Sequence, residues 1–122
     1  MTNEARRERE SRGRRAERLV AWRLRFAGYR ILAQRERTPY GEIDLIAARG
    51  GIAAMVEVKA RPDVRTGVES VSFKQRRRIE TAAAWLQGRR KDLKEKRIRF
   101  DIAVVTGRWR AHHISDAWRP ER

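Results

Sequence analysis

Apolar positions in the first 28 residues recur at the spacing of one helical face. At ~100° per residue, Ala16, Val20, Leu24 and Ala27 fall in a narrow sector, with Leu19 and Phe26 beside it. The pattern predicts an amphipathic helix that stops near Gly28 and frays over residues 1–10, where Arg and Glu predominate. The period then shortens, and residues 29–33, 42–48 and 52–59 read as strands. Gly50-Gly51 between the last two signals a two-residue hairpin turn. Arg61-Pro62-Asp63 ends the third run and opens a polar loop through Gly67.

Ser72 and Gln75 have the spacing of a capping box. Behind them Ile79, Ala82, Ala83 and Leu86 mark the buried face of a second helix, which Gly88 ends. Residues 89–97 form a basic loop, 99–105 a buried strand, 109–114 a short edge strand and 115–122 a tail. The expected order is α-β-β-β-α-β-β, a small mixed β-sheet flanked by helices within one domain, residues 1–122.

Charge changes the picture. Lys and Arg number 31 against 16 acids, a formal net charge of +15, and this surplus predicts a polyanionic partner, nucleic acid first. An arginine-biased proteome would leave a small protein basic without such a partner. Hydrophobic residues make up 40%, enough for one core and against a wholly disordered chain. The absence of cysteine excludes disulfide scaffolds, zinc fingers and thiol catalysis. No run approaches the ~18 apolar residues of a membrane span, and the N-terminus never reaches an apolar signal region. The expected location is the cytoplasm, without membrane contact.

Two acids stand out. Asp44 and Glu57 lie inside apolar strand runs, where a charge is costly unless compensated. A two-residue turn at Gly50-Gly51 sets Asp44 opposite Glu57 and Glu42 opposite Lys59. Alternation puts Asp44, Glu57 and Lys59 on one face and Ile43, Leu45, Val56 and Val58 on the other. Opposed carboxylates with Cβ atoms ~5 Å apart repel each other. A divalent cation turns that repulsion into coordination, and two carboxylates plus water suit Mg²⁺. The competing reading pairs Glu57 with Lys59 or an arginine in a surface salt bridge. Asp92-Leu93-Lys94 repeats the acid-x-Lys spacing in a charged, strandless stretch and carries no chemistry.

A basic surface is expected from Arg61 and from Lys74, Arg77 and Arg78 of the second helix, with Lys74 and Arg77 opposite its apolar face. Such residues contact phosphates without reading sequence. His112-His113 has no further His or Cys to complete a zinc site. Trp22, Trp85, Trp109 and Trp118 could stack bases, but they are expected in the core or an interface.

The blocks Gly41-Glu42-Ile43-Asp44-Leu45-Ile46, Val56-Glu57-Val58-Lys59-Ala60-Arg61 and Arg99-Phe100-Asp101-Ile102, with Lys74 opening a basic helix, resemble the YraN-like (UPF0102) family of endonucleases. That family is similar to the PD-(D/E)XK nucleases and to the archaeal Holliday-junction resolvases. The resemblance implies a restriction-endonuclease-like fold and an endonuclease that hydrolyses DNA with Mg²⁺ or Mn²⁺, acting on particular DNA structures. It makes Asp44 and Glu57 the metal-binding acids, Lys59 the catalytic lysine and Glu17 the helix-one glutamate. Ile43 stands where the superfamily name has proline. Ala16 replaces the glycine usual before Glu17, and its methyl group crowds the approach of the first helix. On the helical wheel Glu17 lies at the border of core and solvent, where pairing with Arg14 or Arg18 stays open. Related resolvases are dimers, so a homodimer through the edge strand near Trp109 is an expectation too. Two alternatives stand beside the enzyme: a non-catalytic nucleic-acid-binding protein on a nuclease-like fold, and a basic adaptor for an acidic protein.

Overall fold

The computed structural model describes residues 2–121. Helix α1 (Asn3–Phe26) leads into strands β1 (Arg30–Thr38), β2 (Gly41–Arg49) and β3 (Ile52–Ala60). Helices α2 (Val64–Glu69) and α3 (Phe73–Gln87) follow. A 3-10 turn (Lys91–Leu93) then precedes β4 (Arg97–Thr106) and β5 (Arg110–Trp118). The five strands lie in sequence order in one sheet. All neighbours are antiparallel except β3 and β4, which run parallel. A parallel pair needs a long crossover, and α2 with α3 supplies it.

Helix α1 covers one face of the sheet, and α2 and α3 cover the other. Ala16, Val20, Ala21 and Leu24 of α1 pack on Leu45, Ala47, Ala54, Val56, Ala103 and Val105. Full burial of Val20 and Leu24 contributes roughly 1.5–3 kcal/mol each. On the opposite face α3 buries Ile79, Ala82, Ala83 and Leu86 against Ile46, Met55, Ile102 and Val104. Its first turn is held by Ser72, whose Oγ accepts the Gln75 N–H at 3.1 Å. The mixed sheet between helices is thus as expected.

Several boundaries differ from expectation, each for a local reason. Thr2 caps α1 by accepting the Ala5 N–H at 3.1 Å, so the helix begins at Asn3, inside the stretch expected to fray. Ala21, rather than Ala27, completes its buried face, and Phe26 is 88% exposed. Part of the loop before α3 coils into α2 because Asp63 accepts the Thr66 N–H at 2.8 Å. Residues 115–118 belong to β5 and not to a tail. There the Trp118 ring stacks on Phe100 with centroids 5.2 Å apart and its Nε1 donates to Glu80 at 2.9 Å. Trp118 is buried and Trp85 packs against the core, whereas Trp22 and Trp109 face solvent. Among the described residues no helix is long and apolar enough to cross a membrane.

Candidate active site

The hairpin of β2 and β3 builds the site. Its register runs from Arg49↔Ile52 to Leu45↔Val56, closed by a two-residue turn with Gly50 at φ 59°. Continuing the count sets Asp44 across from Glu57, but the ladder opens there. An uninterrupted antiparallel pair would offer the Val58 N–H to the Ile43 carbonyl. Instead the Asp44 carboxylate accepts it, at 2.9 Å. Asp44 therefore wedges between the parting strands. Ile43 shifts with it and packs in the α3-side core beside Ile46 and Met55. This corrects the expectation that it shares a face with Leu45, Val56 and Val58, which lie on the α1 side.

Glu57 is 6% exposed. Its carboxyl is pushed up to about 9, by burial first and then by the neighbouring Asp44 carboxylate. Lys59 and Arg78 pull the other way. Asp101, the other buried acid, forms a contrast. Burial opposes its ionisation, yet His113, Arg99 and the Asp116 N–H together hold its carboxyl below the ordinary range. Their contacts are 2.7 Å from His113 Nε2, 2.8 Å from Arg99 and 2.9 Å from the Asp116 N–H. Asp101 is satisfied by protein donors. Glu57 faces another acid, and its cationic neighbour Arg78 stands 4.0 Å away.

Arg78 does not join the outward basic face. Its Nη1 donates to the carbonyls of Glu42 at 3.1 Å and Tyr40 at 3.4 Å, which brings the guanidinium to Glu57. Gly41 makes room for it. A Cβ on Gly41 would lie 2.4 Å from Arg78 Nη1, and the backbone there has φ +113°. Lys74 and Arg77 are exposed on α3, and Arg61 is half-buried with its Nη1 on the Ala60 carbonyl at 2.8 Å.

Glu17 reaches the neighbourhood from α1 and pairs with Arg35 at 2.7 Å, rather than with Arg14 or Arg18. Burial raises the Glu17 pKa, the Arg35 hydrogen bond opposes this, and the charges of Asp44 and Glu42 raise it further. The net shift is upward with burial as its largest cause, and the contributions of Asp44 and Glu42 put Glu17 in the field of the same anionic cluster. Arg35 itself has φ 52°, between the pairs Gln34↔Leu45 and Glu36↔Ile43 and so across from Asp44. Nothing in the local sequence marks Arg35 for this conformation. Asp101, by contrast, lies in an apolar run as Asp44 and Glu57 do, with Arg99 two positions away on the same face.

Among the described residues no group of three or more His, Cys, Asp or Glu side chains is placed to hold a metal. The arrangement is two adjacent carboxylates with a lysine alongside. Its donor set, hard oxygens only, fits a hard cation that keeps most of its own water, as Mg²⁺ does.

Comparison with known proteins gives the family. The chain is 45% identical over 108 residues to a UPF0102 protein of Parvibaculum lavamentivorans, covering 88% of this chain and 81% of that one. It is 50% identical over 101 residues to a UPF0102 protein of Chelativorans sp., covering 82% of each. A UPF0102 protein of Paramagnetospirillum magneticum is 44% identical over 115 residues, covering 90% of this chain and 88% of that one. The family model described as Uncharacterised protein family UPF0102 matches residues 16–105, which hold Glu17, Asp44, Glu57 and Lys59. With most of its length matched, the chain belongs to the UPF0102 family.

Proposed function

We propose that this protein is a divalent-metal-dependent endonuclease that hydrolyses phosphodiester bonds of DNA. The observation that carries the reading is the Asp44–Glu57 pair, in which a buried carboxyl is driven to about 9 by burial and by a second acid. A purely structural site would satisfy such a group with donors, as this fold does at Asp101.

Asp44, Glu57 and the Val58 carbonyl would hold Mg²⁺ or Mn²⁺, which supplies Lewis-acid charge and lowers the pKa of water. The Val58 N–H fixes the Asp44 carboxylate at 2.9 Å, so that ligand is oriented in advance. Arg78 sets the position of Glu57 from the α3 side. Lys59 extends from the same strand two residues on. Its ammonium would orient the attacking water and stabilise charge that develops on the phosphate oxygens. Glu17, tied to Arg35, adds a carboxylate at the rim of the cluster. Arg61, Lys74 and Arg77 would meet the DNA backbone, in keeping with the +15 charge.

The test is cleavage of duplex, single-stranded, flap and four-way-junction DNA in Mg²⁺ or Mn²⁺. Asp44→Ala and Lys59→Ala are expected to abolish cleavage while DNA binding is kept. Wild-type protein that binds DNA but cuts none of these forms in either metal would refute the proposal. The chain would then be a binding protein on a nuclease-like fold.

A further inference from the structure

Among the described residues, five large hydrophobic side chains stand exposed: Trp22, Phe26, Tyr40, Phe73 and Trp109. Three of them wall a single groove of about 770 Å³ between α1 and β5, namely Trp22 at 59% exposure, Phe26 at 88% and Trp109 at 74%. Aromatic side chains bury large areas when they find a partner, and three such rings on one groove are more than scattered surface residues explain. Trp22 and Phe26 form a tilted pair with centroids 6.5 Å apart.

The charge of the groove decides what fits it. Arg23 and Arg110 line it, and no acidic side chain does among the described lining residues. The Arg25 guanidinium lies 5.6 Å from the Trp22 ring and that of Arg108 lies 6.0 Å from the Trp109 ring. A second copy of this chain would bring the same arginines and another +15 into contact. An occupant must offer flat apolar faces and negative charge together, since two of the three rings have a guanidinium beside them. Unpaired nucleotides do so, because every base has a stacking face and every linkage an anionic phosphate. The groove also starts at the relevant end of the sheet. Ala60 pairs with Val105 in the parallel β3–β4 ladder, so the β4–β5 turn bearing Arg108 and Trp109 rises from the end where Lys59 emerges.

We propose that the groove between α1 and β5 binds a single-stranded nucleic-acid segment by stacking its bases on Trp22, Phe26 and Trp109. The proposal names the substrate class of the enzyme proposed above and takes its biological meaning from that reading. It would make the preferred DNA one with an unpaired stretch beside the bond to be cut.

The test measures binding in EDTA, so it needs no cleavage and can succeed or fail independently of the nuclease reading. A short oligothymidylate is compared with an abasic chain of equal length and equal phosphate number, each titrated into the full-length protein. Wild-type protein is expected to bind the oligothymidylate about tenfold or more tightly than the abasic chain, with quenching of tryptophan fluorescence. Trp109→Ala and the double change Trp22→Ala with Phe26→Ala are expected to erase that ratio and leave abasic affinity unchanged. All three side chains are exposed, and circular dichroism checks that the variants fold. Equal wild-type affinities for the two chains, or no quenching, would overturn the proposal. So would a wild-type dimer that Trp109→Ala turns into a monomer in sedimentation while the base-dependent ratio persists, since the groove would then be an interface between copies.

Discussion

Replacing Glu57 by glutamine keeps the side-chain shape and removes its titration. In the native protein without metal this carboxyl keeps its proton to about pH 9, against an ordinary value of 4.5. The retained proton lies between Glu57 and Asp44, and a glutamine amide can donate to Asp44 in the same way. Below pH 4.5 native and unfolded chains both hold the proton, and the group contributes no slope. As pH rises from 4.5 towards 9, the unfolded chain releases a proton that the native one keeps, so wild-type stability falls through that window. A tenfold difference in proton affinity between the two states corresponds to about 1.36 kcal/mol, which near pH 8 gives a penalty of roughly 3–5 kcal/mol. For 122 residues, one kcal/mol moves Tm by roughly 4 °C. In EDTA, Glu57→Gln should match wild type near pH 5 and melt roughly 12–20 °C higher near pH 8. Saturating Mg²⁺ should raise the wild-type Tm near pH 8 and leave the variant where it is. The readout is a thermal unfolding series by circular dichroism. Parallel pH profiles for the two proteins, or a less stable variant near pH 8, would refute the reasoning, because the acids would then not be coupled.

Other expectations follow from single contacts. Gly41→Ala places a Cβ 2.4 Å from Arg78 Nη1 on a backbone at φ +113°. It should cost about 1–3 kcal/mol in urea unfolding and weaken Mn²⁺ binding by calorimetry, because Arg78 no longer positions Glu57. Unchanged stability would show that the guanidinium has other room. Asp101→Asn leaves Arg99 and His113 without their buried anion and should cost about 3–5 kcal/mol, with cleavage intact at low temperature. The Asp101 carboxyl is held below its ordinary 3.8, so the wild-type chain keeps this contribution above that pH and loses it on further acidification. A variant with the wild-type Tm would remove Asp101 from the account of stability.

The parts of the fold legible in the sequence are those where one local signal dominates. Gly50-Gly51 fixes the hairpin register as far as Leu45↔Val56, and Asp44 and Glu57 meet one position further on, where the strands part. The spacing of Ile79, Ala82, Ala83 and Leu86 names the buried face of α3 residue for residue. Edge strands are harder to read. The second half of β1, through Arg35, Glu36 and Arg37, is polar, and Ser115-Asp116 breaks the apolar pattern of β5 before Trp118, so it is pairing with β2 and β4 that makes both stretches strands. The six-residue α2 carries too short a pattern to register a helical period. At the site, the two acids and Lys59 declare themselves by sitting in or beside apolar runs. Arg78 does not, because its inward turn depends on a space at Gly41, 37 positions earlier. The side switch of Ile43 comes from the parting of two strands, which no alternation rule contains.

Arg35 carries a consequence for anyone who would harden this molecule. A side chain with a Cβ held at φ 52° costs on the order of 1 kcal/mol that glycine would not. Selection for heat resistance alone would therefore favour glycine at this position. The same exchange would release Glu17 from its 2.7 Å tie and leave α1's carboxylate free to swing away from Asp44. Ruggedness and whatever work Glu17 performs are set against each other at one backbone angle.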